Sequence, residues 1–297
     1  MRTCKDFVSA NREQSFALYE MQHALLDGVF ESRRDIKKGY LHLREITGSF
    51  DWKHPETGKV YPKAIKLTLL VPTVLDTKAE DILLAIIRIA GIDGHRVHPD
   101  QPMLASFDPP ERNAKAKDTI EIHCTKYELL KAADMGTGKH DYEQQAFYLK
   151  HMSRIIVEWE NTASGWSGSC WFLSHDKHED GRLIIRLNWR LAGAIFGSDG
   201  DYAKIDLNER RSLKKDPSKT LHRWLSAHLW SGRSEYILYE TLIKHIWSQE
   251  ATPSAQRKRL ERLKNEILPE LGTLPQWKIK TNTRGAQITH HKDKQGE

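Results

Sequence analysis

One short helical pattern occurs twice in this chain, and it constrains the fold more than any other feature. Tyr127-Glu128-Leu129-Leu130-Lys131 and Tyr239-Glu240-Thr241-Leu242-Ile243-Lys244 share a layout of aromatic, acidic, apolar and basic positions. Each is followed by a turn, a longer helical stretch and two β-type runs around a glycine-containing turn. In the first copy these are Gly136-Thr137-Gly138, a helix over 141–153, and strands over 155–159 and 166–173. In the second they are a turn over 248–253, a helix from Ser254 to about 268, and strands over 277–281 and 286–290. Self-similarity at a fixed separation decides architecture before anything else. Tyr127 and Tyr239 lie 112 residues apart, the spacing of duplicated domains and not of a solenoid. Helix, turn, helix and two-stranded wing together predict a winged helix-turn-helix, here in tandem.

The remaining segments fit an α+β fold of two tandem winged helix-turn-helix domains with a short N-terminal extension. We expect the extension over 1–38, the first domain over 39–178, the second over 179–291 and a frayed tail over 292–297. Leu18, Met21, Leu25 and Leu26 predict a helix over 15–30 that docks on the first domain or on a partner. Alternation over 40–52 and 59–70, around His54-Pro55-Glu56-Thr57-Gly58, predicts a hairpin. Asp76-Thr77 caps an apolar helix over 82–90, and Gly91 closes it. Residues 92–117, with Pro102, Pro109 and Pro110, read as a loop. Residues 118–124 alternate as a strand, and Thr125 is the N-cap of the helix that follows. The charged, turn-like run over 175–181 is the candidate domain boundary. Beyond it come a strand over 182–187, a helix over 189–196 and a strand over 202–205. A helix from Pro217-Ser218 then presents Leu221, Trp224, Leu225 and Leu229 on one face, before a short strand over 234–238.

A length of 297 residues suits two domains, and 39% hydrophobic content with nine tryptophans can build their cores. The formal charge of +6 favours an acidic partner such as nucleic acid. Cys4, Cys124 and Cys170 have no CxxC spacing and read as reduced thiols of a cytoplasmic protein. The start leads into no apolar signal region, and no run approaches the ~20 apolar residues of a spanning helix.

The chemistry concentrates in the second copy. Leu260, Leu263, Ile267 and Leu271 form one stripe that must be buried. At about 100° per residue, Lys258 and Arg262 sit nearly opposite that stripe, with Arg257 and Arg259 on its flanks. A helix apolar on one side and basic on the other, starting at Ser254, has the shape for a DNA major groove, where Arg and Lys meet phosphates or guanine edges. Lys278, Lys280 and Arg284 extend the charge onto the wing. Residues 253–294 hold ten Lys and Arg against four Asp and Glu, a net of +6. Residues 125–179 hold six against eight, a net of −2, with Lys150 and Arg154 as the phosphate candidates. The alternative reading of these residues, in either copy, is an ordinary solvated face. His95-Arg96-Val97-His98, the run His175 to His178, and His290-His291 lack the converging ligands of a metal site and read as solvated histidines. The tryptophans Trp189, Trp224, Trp230 and Trp247 read as packing. No GxxxxGK[ST] loop, nucleophile elbow or nicking constellation is present, so we expect no catalysis, metal or cofactor.

The second half carries a family resemblance. Asp180-Gly181-Arg182-Leu183, Leu187-Asn188, Leu221-His222-Arg223-Trp224-Leu225, Trp247-Ser248-Gln249-Glu250-Ala251, Arg257-Lys258-Arg259 and Leu268-Pro269-Glu270-Leu271 resemble the RepC replication initiators of IncQ-type plasmids. Gly58-Lys59, Pro72, Asp81-Ile82-Leu83, Ala90-Gly91, Tyr127 and Leu130 extend the match more loosely, over about 50–283 in all. The resemblance implies a bacterial tandem winged-helix protein that binds direct repeats (iterons) of double-stranded DNA at a plasmid origin. Such a protein opens adjacent AT-rich DNA and recruits a replicative helicase without catalysing a step itself, with self-association left open. The alternative is a winged-helix transcriptional regulator sensing a ligand or partner through its first domain.

Overall fold

The helix Thr77–Asp93 is the element around which the rest is arranged. Ile82, Leu83, Leu84, Ile86 and Ile87 are all essentially inaccessible, so the helix is apolar nearly all round and must be enclosed. Asp76 caps it through the amide of Ala79 at 3.1 Å and accepts the Tyr148 hydroxyl at 2.8 Å. The helix continues through Gly91 instead of ending there. A glycine inside a helix costs only about 1 kcal/mol relative to alanine, less than the surrounding packing contributes.

The computed structural model describes residues 16–31, 44–54, 57–73, 75–93, 95–97, 119–177, 180–196 and 202–291. The tail over 292–297 and most of the expected loop over 92–117 lie outside them. His95–Val97, inside that loop, forms a strand paired with Thr119–Cys124. The fold is mixed α/β. One four-stranded antiparallel sheet runs in the order Arg44–Lys53, Val60–Val71, Ile156–Asn161, Trp166–Trp171. A second runs Leu173–Lys177, Leu183–Leu187, Thr119–Cys124, His95–Val97. A three-stranded sheet near the C-terminus has Gly285–His290 between Ser234–Leu238 and Trp277–Thr281. No helix among the described residues is long and apolar enough to cross a membrane.

Several segments depart from the periodicity-based expectation. In place of a helix over 15–30, the chain forms strand Phe16–Glu20 and only a five-residue helix, Met21–Leu25. The strand pairs antiparallel with Tyr202–Asp206, and Ala17, Leu18, Tyr19 and Glu20 are all buried. Burial on both faces favours a run of consecutive apolar residues, and that tertiary demand overrides the helical spacing. The expected strand over 166–173 is two strands, because a bend at Phe172 carries the chain from one sheet into the next. The charged run over 175–181, the candidate domain boundary, lies across paired strands: Leu173–Lys177 pairs antiparallel with Leu183–Leu187, and Gly181 between them has φ +86°.

Buried side chains fall into two clusters. The larger gathers residues from Ala17 to Leu207 and includes Ala227. The smaller runs from Leu213 to Ile288. Leu183, Ile185, Leu187, Trp189, Ala203 and Ile205, placed in the second unit by the sequence pattern, therefore pack in the first cluster. Helix Asp216–His228 stands between the clusters, with Leu221, Trp224 and Leu225 in the second.

Candidate nucleic-acid interface

Helix Tyr239–Ile246 buries Tyr239, Leu242, Ile243 and Ile246, and a turn at Trp247 ends it. Thr252 then caps helix Pro253–Arg262, its hydroxyl accepting from the Ala255 amide at 3.4 Å, with Pro253 in the first turn where its missing N–H costs nothing. No residue of Pro253–Arg262 is buried. The helix is held from its C-terminal half, where Leu263, Ile267, Leu268 and Leu271 enter the second cluster. Leu263–Ile267 is one π turn. Its wider pitch brings residues four and five apart onto the same side, so both Ile267 and Leu268 face the core beside Leu263. The stripe read from the sequence is present, with Leu260 partly buried at its outer end.

The cations around this helix divide into free and committed groups. Arg257 and Lys258 are exposed, as is Ser254, whose hydroxyl lies 3.2 Å from that of Thr252. Arg259 turns back, donating to the Gln249 carbonyl at 2.7 Å and lying over the Trp247 ring at 5.5 Å. It fixes the turn. Arg262 is half-buried, with Nε 3.8 Å from Glu266. The sequence pattern pairs Arg257 with Arg259 and Lys258 with Arg262, a symmetry that local side-chain partners break.

The hairpin continues the basic surface. Lys278 and Lys280 alternate outward on Trp277–Thr281, and Arg284 is exposed at the turn. Tyr239 ties helix to hairpin: its amide donates to the Arg284 carbonyl at 3.1 Å and its hydroxyl to the Asn282 carbonyl at 2.7 Å. A Cβ at Gly285 would collide with the Ile237 carbonyl oxygen and the Tyr236 ring, so the hairpin can approach its neighbour strand only with glycine there. Lys264 lies 4.5 Å from the centre of the Tyr239 ring, a contact that sequence spacing did not signal.

Two acidic residues that follow the basic helix have partners in another segment. Glu266 accepts from Lys215 Nζ at 2.9 Å, and Glu270 accepts from the Lys214 amide at 2.8 Å and the Ser218 hydroxyl at 2.5 Å. Those two carboxylates are engaged with the segment from Lys214 to Ser218, whereas Glu261 on the basic helix is exposed among Arg257, Lys258 and Arg262. The turn is held from outside: Ser248 donates to Glu31 at 2.9 Å, and His245 lies 2.5 Å from Asp27. Gly28, at φ +86°, lets that N-terminal segment pass close to Ser248.

In the first copy, helix Lys126–Ala132 opens with a closed capping box between Thr125 and Glu128, and helix Lys139–Met152 follows. Lys150 and Arg154 are both exposed there. His151, mostly buried beside them, has its pKa lowered by burial and then by these two cations. Of the histidine pairs, His98 and His178 lie outside the described residues, and His175 is half-buried on a strand with its pKa lowered by burial. His290 stacks on Trp277 at 4.2 Å and approaches the Leu229 carbonyl at 2.8 Å, so it serves packing. Among the tryptophans read as core, Trp189, Trp224 and Trp247 are buried but Trp230 is 61% exposed.

The profile of a family described as Replication protein C (RepC) matches residues 77–290 of this chain. The crystal structure of selenomethionine derivatives of domains 2 and 3 of RctB is similar with a TM-score of 0.51, at 9% identity, over 92% of this chain and 99% of that one. A further crystal structure of RctB domains 2–3 gives 0.47 at 8% identity, over 89% and 95%. At such identities the likeness concerns fold alone. No curated protein gives a match.

Proposed function

The chain belongs to the replication protein C (RepC) family, and from that premise we propose a plasmid replication initiator that binds repeated sequences in double-stranded origin DNA. The observation that carries the reading is that Arg257, Lys258, Lys278, Lys280 and Arg284 are all exposed on the basic helix and the hairpin, while Glu266 and Glu270 are engaged with the segment from Lys214 to Ser218. Two winged-helix units do the binding. Helix Pro253–Arg262 enters a major groove from its free N-terminal half, and the hairpin lies along the adjacent phosphates. Arg259 keeps the entry angle by pinning the turn, without itself meeting DNA. The first unit, through Lys150 and Arg154, adds a weaker hold on a neighbouring segment. Binding at successive repeats strains adjacent AT-rich DNA and presents a surface for a replicative helicase. No bond is made or broken by the protein.

Footprinting on the DNA flanking the gene tests this reading. Protection of regularly spaced repeats beside an AT-rich run is the expected result, with affinity falling steeply as salt rises. Protection of a single operator without repeats would replace it with a transcriptional regulator. Within the face, Lys258→Ala and Arg257→Ala should weaken binding at unchanged thermal stability, whereas Arg259→Ala should lower stability as well.

A further inference from the structure

Five charged side chains meet where the two hydrophobic clusters adjoin. Glu80 and Asp81 come from the central helix Thr77–Asp93, Arg210 from helix Leu207–Ser212, and Lys219 and Arg223 from helix Asp216–His228. Glu80 is 0% exposed, Arg210 2% and Arg223 1%. Arg210 spans both carboxylates, with Nη2 2.6 Å from Glu80 and Nε 2.6 Å from Asp81. Arg223 Nε lies 2.7 Å from the other oxygen of Glu80, and Lys219 Nζ lies 2.9 Å from Asp81. Arg223 also donates to the Ala24 and Leu26 carbonyls, at 2.5 Å and 3.0 Å. One carboxylate therefore joins the core of the first unit, the helix that seats the second, and the N-terminal segment.

Stability is a weak reason for such a network. A buried ion triad often gives way to apolar side chains of similar volume without loss, because desolvation offsets the attraction. Burial also separates it from an apolar contact in another way. Apolar surfaces tolerate sliding, whereas a displaced guanidinium here would leave a carboxylate buried and unpaired. Misaligned arrangements are penalised steeply, and the aligned one gains little.

We propose that Glu80, held between Arg210 and Arg223, is a positioning residue that locks the register between the two units, so that their reading helices meet DNA at one fixed spacing. The DNA consequence rests on the initiator reading above; the lock itself does not. Neither arginine touches DNA in this scheme, and each acts through the helix it anchors.

The test compares the full chain with Glu80→Gln and with the triple change Glu80→Met, Arg210→Met, Arg223→Met. Spin labels at Glu143→Cys and Thr283→Cys, with Cys4 replaced by serine, report the distance between the units without DNA. A narrow distribution in the parent and a broad one in either variant is expected, with cooperative unfolding retained. An unchanged distribution overturns the proposal, and so does failure of both variants to fold, since the network would then be serving stability. The second arm measures affinity for origin DNA carrying base pairs inserted between the segments that the two units protect. The parent should lose about ten-fold or more while a folded variant loses much less, because a rigid pair of reading heads tolerates only one spacing. Equal losses overturn the lock. A parent that protects no second segment speaks against the initiator reading, and the label distances still decide the lock.

Discussion

The two copies of the repeated pattern follow the same order of helix, helix and two strands and differ in what they leave uncovered. In the first, helix Lys139–Met152 buries Gln145, Tyr148, Leu149, His151 and Met152, all from its middle to its C-terminal end. Its two hairpin strands form one half of a four-stranded sheet. In the second, Pro253–Arg262 buries nothing, and its hairpin lies in a sheet of three. Exposed aromatic residues, Tyr127 at 53% and Phe147 at 48%, lie in the first copy beside the exposed Lys150 and Arg154, and the second carries the larger set of exposed cations. The motif is a scaffold in both. The second differs in burying no residue of its helix Pro253–Arg262 and in the number of cations it leaves exposed.

The largest expected effect probes that charge difference. Replacing Arg257, Lys258, Lys278 and Lys280 together by alanine should lower DNA affinity by orders of magnitude. It should also reduce the log–log salt slope by about 0.9 for each phosphate no longer neutralised. Changing Lys150 and Arg154 should reduce the slope by no more than about two. Equal slopes for the two variants, measured by titration over a salt series, would end the distinction.

Acid sensitivity should belong to the first region. Burial alone would raise the pKa of Glu20, but Arg190 at 2.8 Å and His23 outweigh it and bring the carboxyl down to about 2. A depressed folded-state value stabilises the protein above the ordinary carboxylate range, and that contribution is lost as pH falls from about 4.5 towards 2. The amount is on the order of 3 kcal/mol. In urea unfolding across that window, Glu20→Gln should flatten the acid limb. A limb of unchanged slope would show that other carboxylates carry it.

Gly285→Ala tests how closely the second hairpin must approach its neighbour. The methyl has no space between the Ile237 carbonyl and the Tyr236 ring, so a cost of about 1–3 kcal/mol is expected. DNA affinity should fall further than stability, because Lys278, Lys280 and Arg284 move with the hairpin. Gly165, at the corresponding turn of the first copy, would place an added methyl carbon with nothing within 4 Å, and its strain comes only from φ +70°. Gly165→Ala should therefore cost stability without changing affinity.

Much of this was legible in the sequence, and the exceptions have physical causes. The second copy was readable because its stripe of Leu260, Leu263, Ile267 and Leu271 lies on one helix and packs locally. Strand Phe16–Glu20 was not, because its partner Tyr202–Asp206 lies far along the chain and only that pairing selects strand over helix. The same distance hid the place of Leu183–Leu187 in the first core, since its neighbour is Thr119–Cys124. Among the site residues, a helical wheel gives direction but not partners. It points Arg259 towards DNA, whereas the Gln249 carbonyl and the Trp247 ring claim it. The π turn, which brings Leu268 inward, breaks the constant pitch that any wheel assumes.

The smallest effect concerns the two caps. Thr125 is held in a closed box: its hydroxyl lies 3.1 Å from the Glu128 amide, and the Glu128 carboxylate accepts the Thr125 amide at 2.7 Å. Thr252 makes a single longer bond, 3.4 Å to the Ala255 amide, and position 255 cannot supply the reciprocal carboxylate. A cap removed by alanine typically costs about 1 kcal/mol, and the reciprocal box should put Thr125→Ala above that of Thr252→Ala. Binding should rank them the other way. Thr252 opens a helix whose first turns are free of the core, so fraying there displaces Arg257 and Lys258 directly. Thr125 opens a helix that buries Leu129 and Leu130 and carries none of the exposed cations proposed for DNA. Thermal melts paired with salt-matched binding curves separate the two. If the variant losing more stability also lost more affinity, the first copy would hold DNA as firmly as the second.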